Sequence, residues 1–365
     1  MKIGLIDADL LDNGTRHPNI ALEKISAYHK KELNNDTRLL LSYEEIDSCD
    51  EVYISKVYTF TKIPSGVIKR KNVFRGGTGF FFEKAFDKNR RLPDEIEHYK
   101  PDYELYKEFI DKELARGIKQ IRYRDYIDYS IGFATRGCFR KCQFCVNKRF
   151  DKVWRHAPIS EFLDKDRKYI YLWDDNILGF KDGWRQVFDE LEDAGKRFQF
   201  RQGLDIRLMD EEKARVITSS RYIGDFIFAF DHLKERALIE KKLKIWKKYC
   251  TKTTKMYLLC AYESKDAQDI EGIFKRIEVL MSYRCLPYIM RFEGWQQSEF
   301  KGMYINLARW CNQPDFFKKK SFREYCEANG ENSSTMKYLR LFEHKHPAIA
   351  KKYFDLKYEE APKSF

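Results

Sequence analysis

Three cysteines fall within eight residues, Cys138, Cys142 and Cys145, while the other six of the chain are widely scattered. The segment Ala134-Thr-Arg-Gly-Cys138-Phe-Arg-Lys-Cys142-Gln-Phe-Cys145 spaces them as C-x3-C-x2-C. One loop with that spacing can wrap three thiolates around a single metal centre, and Gly137 supplies backbone freedom at its entry. Arg136, Arg140, Lys141, Lys148 and Arg149 lie close by and would stabilise thiolates and the negative charge of a ligated cluster. Three readings compete. A zinc ion would want a fourth protein ligand, for which His156 is the nearest histidine, and C-x2-C spacing twice. Inert structural cysteines have no reason to bunch. A [4Fe–4S] cluster held by three thiolates leaves one iron open to a cofactor or substrate, and that openness is what makes a cluster catalytic.

The elements that must position these residues are legible as an α/β pattern. A strand Lys2–Ile6 is followed by Asp7-Ala-Asp9, a polar turn through Asn13-Gly14-Thr15 and a helical stretch Asn19–Lys31. Further strands at Glu51–Tyr58 and Asn72–Phe74, the latter running into Gly76-Gly77, make residues 1–100 a small Rossmann-like unit. Residues 101–128 are a connector whose helix puts Leu105, Tyr106, Phe109, Ile110 and Leu114 on one face.

From Ser130 onward, strand-like runs alternate with amphipathic helices. The runs are Ser130–Ala134, Tyr169–Trp173, Arg197–Arg201, Asp225–Phe230, Lys255–Ala261 and Leu286–Arg291, and Asp182 and Asp210 are the expected caps of two intervening helices. Six such units predict a parallel, barrel-like sheet over residues 129–295, with functional loops at the strand carboxyl ends. Residues 296–365 read as a short, mainly helical C-terminal region, with helices around Phe322–Ala328 and Thr335–Phe342.

The motif CFRKCQFC, set after the first strand of this series, resembles the radical S-adenosylmethionine superfamily. The resemblance implies a partial (βα)6 TIM-like barrel. It further implies a [4Fe–4S] cluster on Cys138, Cys142 and Cys145 whose open iron binds the amino and carboxylate groups of S-adenosylmethionine. An electron from the cluster then cleaves that cofactor and starts radical chemistry on a substrate, the electron coming from a donor such as flavodoxin or ferredoxin. On the same basis Phe144 packs near the adenine. Asp174, Asp175 and Asn176, in YLWDDN, lie where the family contacts the methionine amino group; a polar strand-end turn is the competing reading. Arg207, in RQGLDIRL beside Arg201, Gln202 and Asp205, would pair with the methionine carboxylate, against an ordinary rim salt bridge. Asp231, ending FIFAFD, would reach the ribose hydroxyls, against a helix cap.

A Rossmann-like unit before such a barrel resembles the layout of cobalamin-dependent methylases and tRNA methylthiotransferases. A cobalamin site of that family carries D-x-H-x-x-G, and nothing in residues 1–100 matches it. His17, in Thr-Arg-His-Pro-Asn, reads as a surface histidine, and Cys49 is alone where a methylthiotransferase needs a second cysteine triplet. The expectation is therefore a unit kept as a scaffold or substrate platform, with cobalamin disfavoured and no auxiliary cluster near Cys311 and Cys326.

Composition bounds the partners. A net charge of +12 favours anionic ligands or nucleic acid, and Phe316-Phe-Lys-Lys-Lys-Ser-Phe322 and Lys244-Ile-Trp-Lys-Lys-Tyr249 offer rings beside lysines for a nucleic-acid or nucleotide substrate. A peptide or small-metabolite substrate, and a non-catalytic iron–sulfur protein, are the alternatives. The start MKIGLIDADLL is too short and acidic for a signal peptide, and no run approaches the ~18 apolar residues of a membrane helix, so the expected setting is cytoplasmic with no membrane partner.

Overall fold

The computed structural model describes residues 1–82, 91–360 and 362–365. They divide into two compact units, Met1–Arg201 and Gln202–Phe365.

The first unit opens with four parallel strands, β1 (Lys2–Asp7), β2 (Asp36–Leu39), β3 (Glu51–Ser55) and β4 (Val73–Gly76), in the spatial order β2-β1-β3-β4. Alternation along β1 sends Ile3 and Leu5 to one face, against Leu22 and Ile25 of the helix Ile20–Lys31 and Tyr106 and Ile110 of the connector. Ile6 goes to the other face, among Leu40, Ile46, Cys49, Val52 and Val73. Gly4 admits that second layer, because a Cβ there would lie 2.6 Å from Leu40 and 3.0 Å from the Cys49 sulfur. Cys49 is thus a core thiol. β3 stops at Ser55 rather than Tyr58 because the Asp9 carboxylate accepts the Val57 N–H at 2.6 Å and turns the chain out of the sheet.

The same unit continues with β5 (Tyr129–Gly132), a short antiparallel ribbon of β6 (Thr135–Arg136) and β7 (Trp154–Arg155), then β8 (Tyr169–Leu172) and β9 (Arg197–Phe200). β5, β8 and β9 form a parallel sheet in sequential order. The helix between β8 and β9 begins at Trp184, and Gly183, not Asp182, is its N-cap, with no side-chain bond. Gly183 folds back so closely on the Phe180 ring that Asp182 falls one residue short of the capping position. The connector is fastened to β5 by the buried Arg167 guanidinium, which donates to the carbonyls of Tyr103, Tyr126 and Tyr129.

Two carboxyls in the first unit are held protonated by burial: Asp7 is pushed up to about 7 and Glu23 to about 8. Glu23 Oε2 has no hydrogen-bond partner. Between the usual carboxylate range and pH 8 the unfolded chain has released these protons and the folded chain keeps them, so stability must fall as pH rises. A melting temperature lower at pH 8.5 than at pH 5.5 is expected, with a clearly flatter slope for Glu23→Gln; equal slopes would contradict this account of Glu23.

The second unit holds β10 (Phe226–Ala229), β11 (Thr254–Cys260) and β12 (Cys285–Arg291), parallel and in that order. Asp210 caps the helix Glu211–Ser219 as expected, accepting the Lys213 N–H. After β12 come helices Lys301–Cys311, Pro314–Lys319, Phe322–Glu327, Ser334–Lys345 and Pro347–Tyr353. Three of the five rings in the basic–aromatic stretches are buried. Phe317 and Phe322 pack on buried Trp310, and Trp246 is fully buried against Phe226 and Phe228. Those three rings are core and are not free to stack on bases, which leaves exposed Phe316 and half-buried Tyr249 beside the lysines. No described helix is long and apolar enough to cross a membrane.

Candidate functional site

The three cysteines lie on the loop between β6 and β7. Gly137 opens it in the left-handed region, at φ +89°, and a Cβ there would lie 2.2 Å from the Trp154 ring and 2.5 Å from the Lys152 carbonyl oxygen. Only glycine satisfies both the dihedral and the space. Cys138, Cys142 and Cys145 are half-buried, whereas the other six cysteines are buried, and all nine are free thiols. Burial pushes Cys260, Cys285 and Cys326 up to about 12, which marks them as inert.

The strand-end segment Asp174-Asp175-Asn176 supports this loop residue by residue. Asp174 is buried and accepts from the backbone N–H groups of Ala134 and Thr135 and from the Thr135 hydroxyl. Asp175 accepts the Gly137 N–H at 2.7 Å and the Asn147 side-chain amide at 2.8 Å, with Arg136 Nε 3.8 Å away. The Asn176 amide donates to Cys138 Sγ at 3.4 Å. Backbone N–H groups add to the same pattern: Arg140 donates to Cys138 Sγ and Asn147 to Cys145 Sγ, both at 3.4 Å. Burial raises the Cys145 thiol, the backbone N–H of Asn147 works against that, and the charges of Cys142, Cys138 and Asp175 raise it further, so the three sulfurs are within electrostatic reach of one another. Among the described residues no three such side chains are already closed to the geometry of a bound ion. The donor set is nevertheless one suited to a soft, thiolate-bound centre, with N–H groups aimed at two of the three sulfurs. Asn147 carries no recognisable signal in the sequence, since its role depends on the fold of its own loop.

The other expected residues are placed as follows. Phe144 lies half-buried on the cysteine loop. Arg207 and Asp231 belong to the second unit. Arg207 donates to Asp205 at 2.6 Å and to Glu235 at 2.7 Å. Asp231 is half-buried and accepts the Leu259 N–H at 3.2 Å, linking the ends of β10 and β11.

A cleft of about 660 Å³ opens at the carboxyl ends of β1, β3 and β4, where open parallel sheets bind ligands. Tyr53, Phe74, Gly76 and Gly77 line its sheet side, and Phe133, Arg136, Trp154, His156 and Trp173 its other wall. Arg136 and Trp154 are register partners in the β6–β7 ribbon, so the stem of the cysteine loop is a wall of the cleft. A Cβ on Gly76 would meet no atom within 4 Å, which leaves bare backbone on the floor. Lys24, Glu97 and His156 form a polar patch; burial opposes the charge on Glu97, yet His156 and the Lys24 ammonium hold its carboxyl near about 2. His17 also lines the cleft and is no loose surface histidine: Nδ1 bonds Asp125, Nε2 lies 2.6 Å from Arg201 Nη2, and the ring meets Trp173 edge-on.

No protein-family model matches the chain, and no curated protein matches it in sequence. Among solved structures, its fold resembles that of the radical S-adenosylmethionine methyltransferase TsrM from Kitasatospora setae, determined with cobalamin and a [4Fe–4S] cluster bound. The TM-score is 0.52 at 10% identity, over 80% of this chain and 72% of that one. The likeness is one of fold.

Proposed function

We propose that the chain is a radical S-adenosylmethionine enzyme that holds a [4Fe–4S] cluster on Cys138, Cys142 and Cys145. The observation that carries this reading is the loop itself: three half-buried thiols on one turn, two of them receiving N–H donors, with the stem braced by Asp174 and Asp175 and one sulfur touched by Asn176. When bound, the cluster supplies the electron that cleaves S-adenosylmethionine. The chain's own residues do the rest. Asp174 fixes the stem, Asp175 fixes the entry glycine and Asn147, and the N–H groups at Cys138 and Cys145 stabilise thiolate charge. Phe144 remains the adenine-side residue of the proposal. Arg207 and Asp231 are left out of it, since each is engaged by neighbours in its own unit. With Trp246, Phe317 and Phe322 in the core, the basic–aromatic stretches keep only Phe316 and Tyr249 beside their lysines, and the substrate class favoured is a peptide or small molecule. Anaerobic reconstitution with iron and sulfide, followed by reduction, should yield 5′-deoxyadenosine; a full iron complement with none formed would favour a non-catalytic iron–sulfur protein.

A second element of the proposal concerns the cleft. Its position at the carboxyl edge of the Rossmann-like sheet, its aromatic walls, its bare Gly76 floor and the fold shared with a cobalamin-containing methyltransferase support a corrinoid there, and with it methyl transfer. Gly76→Leu would fill the floor without backbone strain. The wild type is expected to retain hydroxocobalamin through desalting and the variant to lose it, with iron content unchanged; no retention by the wild type would contradict this element alone.

A further inference from the structure

His17 is oriented from three sides. Asp125 takes Nδ1, Arg201 approaches Nε2 at 2.6 Å, and the backbone beneath is pinned by the Tyr126 hydroxyl, which donates to the carbonyls of Thr15 and His17 at 3.1 and 3.0 Å. Two residues on, the Tyr106 hydroxyl accepts the Asn19 N–H at 2.9 Å and donates to Asp7. The loop that carries His17 is thus fixed to the connector by two buried tyrosines, and the imidazole stands in the wall of the cleft beside Trp173. A merely space-filling histidine needs neither a carboxylate partner nor a pinned backbone.

We propose that His17 is a proton-accepting residue of the cleft, oriented by Asp125 and held ready by Arg201. Since a guanidinium can only donate, Nε2 carries the lone pair and the ring proton sits on Nδ1, directed at Asp125. Arg201 also donates to the Tyr171 hydroxyl at 3.2 Å, so it keeps a partner when it swings away from Nε2. A ligand in the cleft that bears an N–H or O–H then gives its proton to Nε2. The X–H bond breaks, its electron pair stays on X, and the imidazolium formed is balanced by the Asp125 carboxylate. The ligand class is one whose N–H or O–H group becomes a better nucleophile on losing its proton. The inference rests on the cleft being a ligand site, but its test needs no cluster, cofactor or substrate.

The probe is diethyl pyrocarbonate, whose carbonyl carbon is attacked by an unprotonated imidazole nitrogen with loss of ethyl carbonate. Carbethoxylation of His17 is followed by peptide mass spectrometry in the full chain, with exposed His344 as internal reference. Relative to His344, Asp125→Asn is expected to slow the His17 reaction about ten-fold, since the orienting carboxylate is lost, and Asp125→Glu to restore part of it. Arg201→Gln is expected to speed it several-fold by uncovering Nε2. A His17 rate that ignores both Asp125 variants, with His344 and the melting temperature unchanged, would overturn the proposal; so would a slower reaction on removing Arg201.

Discussion

Cys142→Ala is expected to give a folded, colourless chain that binds iron far below stoichiometry and produces no 5′-deoxyadenosine. The thiol is half-buried on a loop, so the substitution opens no core cavity and the melting temperature of the iron-free chain should hardly move. Two remaining thiolates do not hold a four-iron cluster that relies on three. The matching control is Cys326→Ala. That thiol is buried in the helical region and pushed up to about 12, so its loss should cost stability through a small cavity and leave iron and sulfide content intact. Iron analysis and the visible absorption of the reconstituted protein check both. Retention of the chromophore by Cys142→Ala would remove this residue from the ligand set.

Asp174→Ala should show the opposite balance, with fold and cluster both damaged. Its carboxyl receives two backbone N–H groups and the Thr135 hydroxyl, all buried, at the point where β5 passes into the ribbon that carries the cysteines. Alanine leaves those donors without a partner, at about 1–3 kcal/mol each, so a loss of about 3–5 kcal/mol is expected. The stem would loosen, and cluster affinity should fall about 10–100-fold, as for other residues that orient metal ligands from behind. Burial raises the Asp174 carboxyl to about 6. The folded form therefore carries the proton below that value, and Asp174→Asn should resemble wild type more closely at pH 5.5 than at pH 8. Thermal melts and the rate of bleaching by a chelator measure the two effects separately.

What the sequence disclosed and what it hid follow from the range of the forces involved. The six strands after Ser130 were legible to within two residues, because each is an apolar run between amphipathic helices and the pattern is local. β2 was not legible: its four residues, DTRL, bury little besides Thr37, and it is a strand only because it pairs with β1 at the sheet edge. The helix Lys301–Cys311 was missed because burial on most of its surface erases amphipathic alternation. Phe317, Phe322 and Trp246 looked like a nucleic-acid surface because lysines flank them, yet rings beside lysines are also what a core helix with a solvated back looks like. The cysteine triplet was plain from spacing alone. His17 was not, since its partners Asp125 and Arg201 are 108 and 184 residues away. The D-D-N segment was singled out by position, but its bonding to the cysteine loop required the fold.

The proposed chemistry requires one iron of a three-cysteine cluster to be open to S-adenosylmethionine. The most direct measurement is the electron paramagnetic resonance spectrum of the reconstituted, dithionite-reduced protein with and without S-adenosylmethionine. The expected result is a [4Fe–4S]-type signal whose g values shift when the cofactor is added, with no such signal in Cys142→Ala. A cluster spectrum indifferent to S-adenosylmethionine, or a protein that takes up zinc in place of iron under the same conditions, would contradict it.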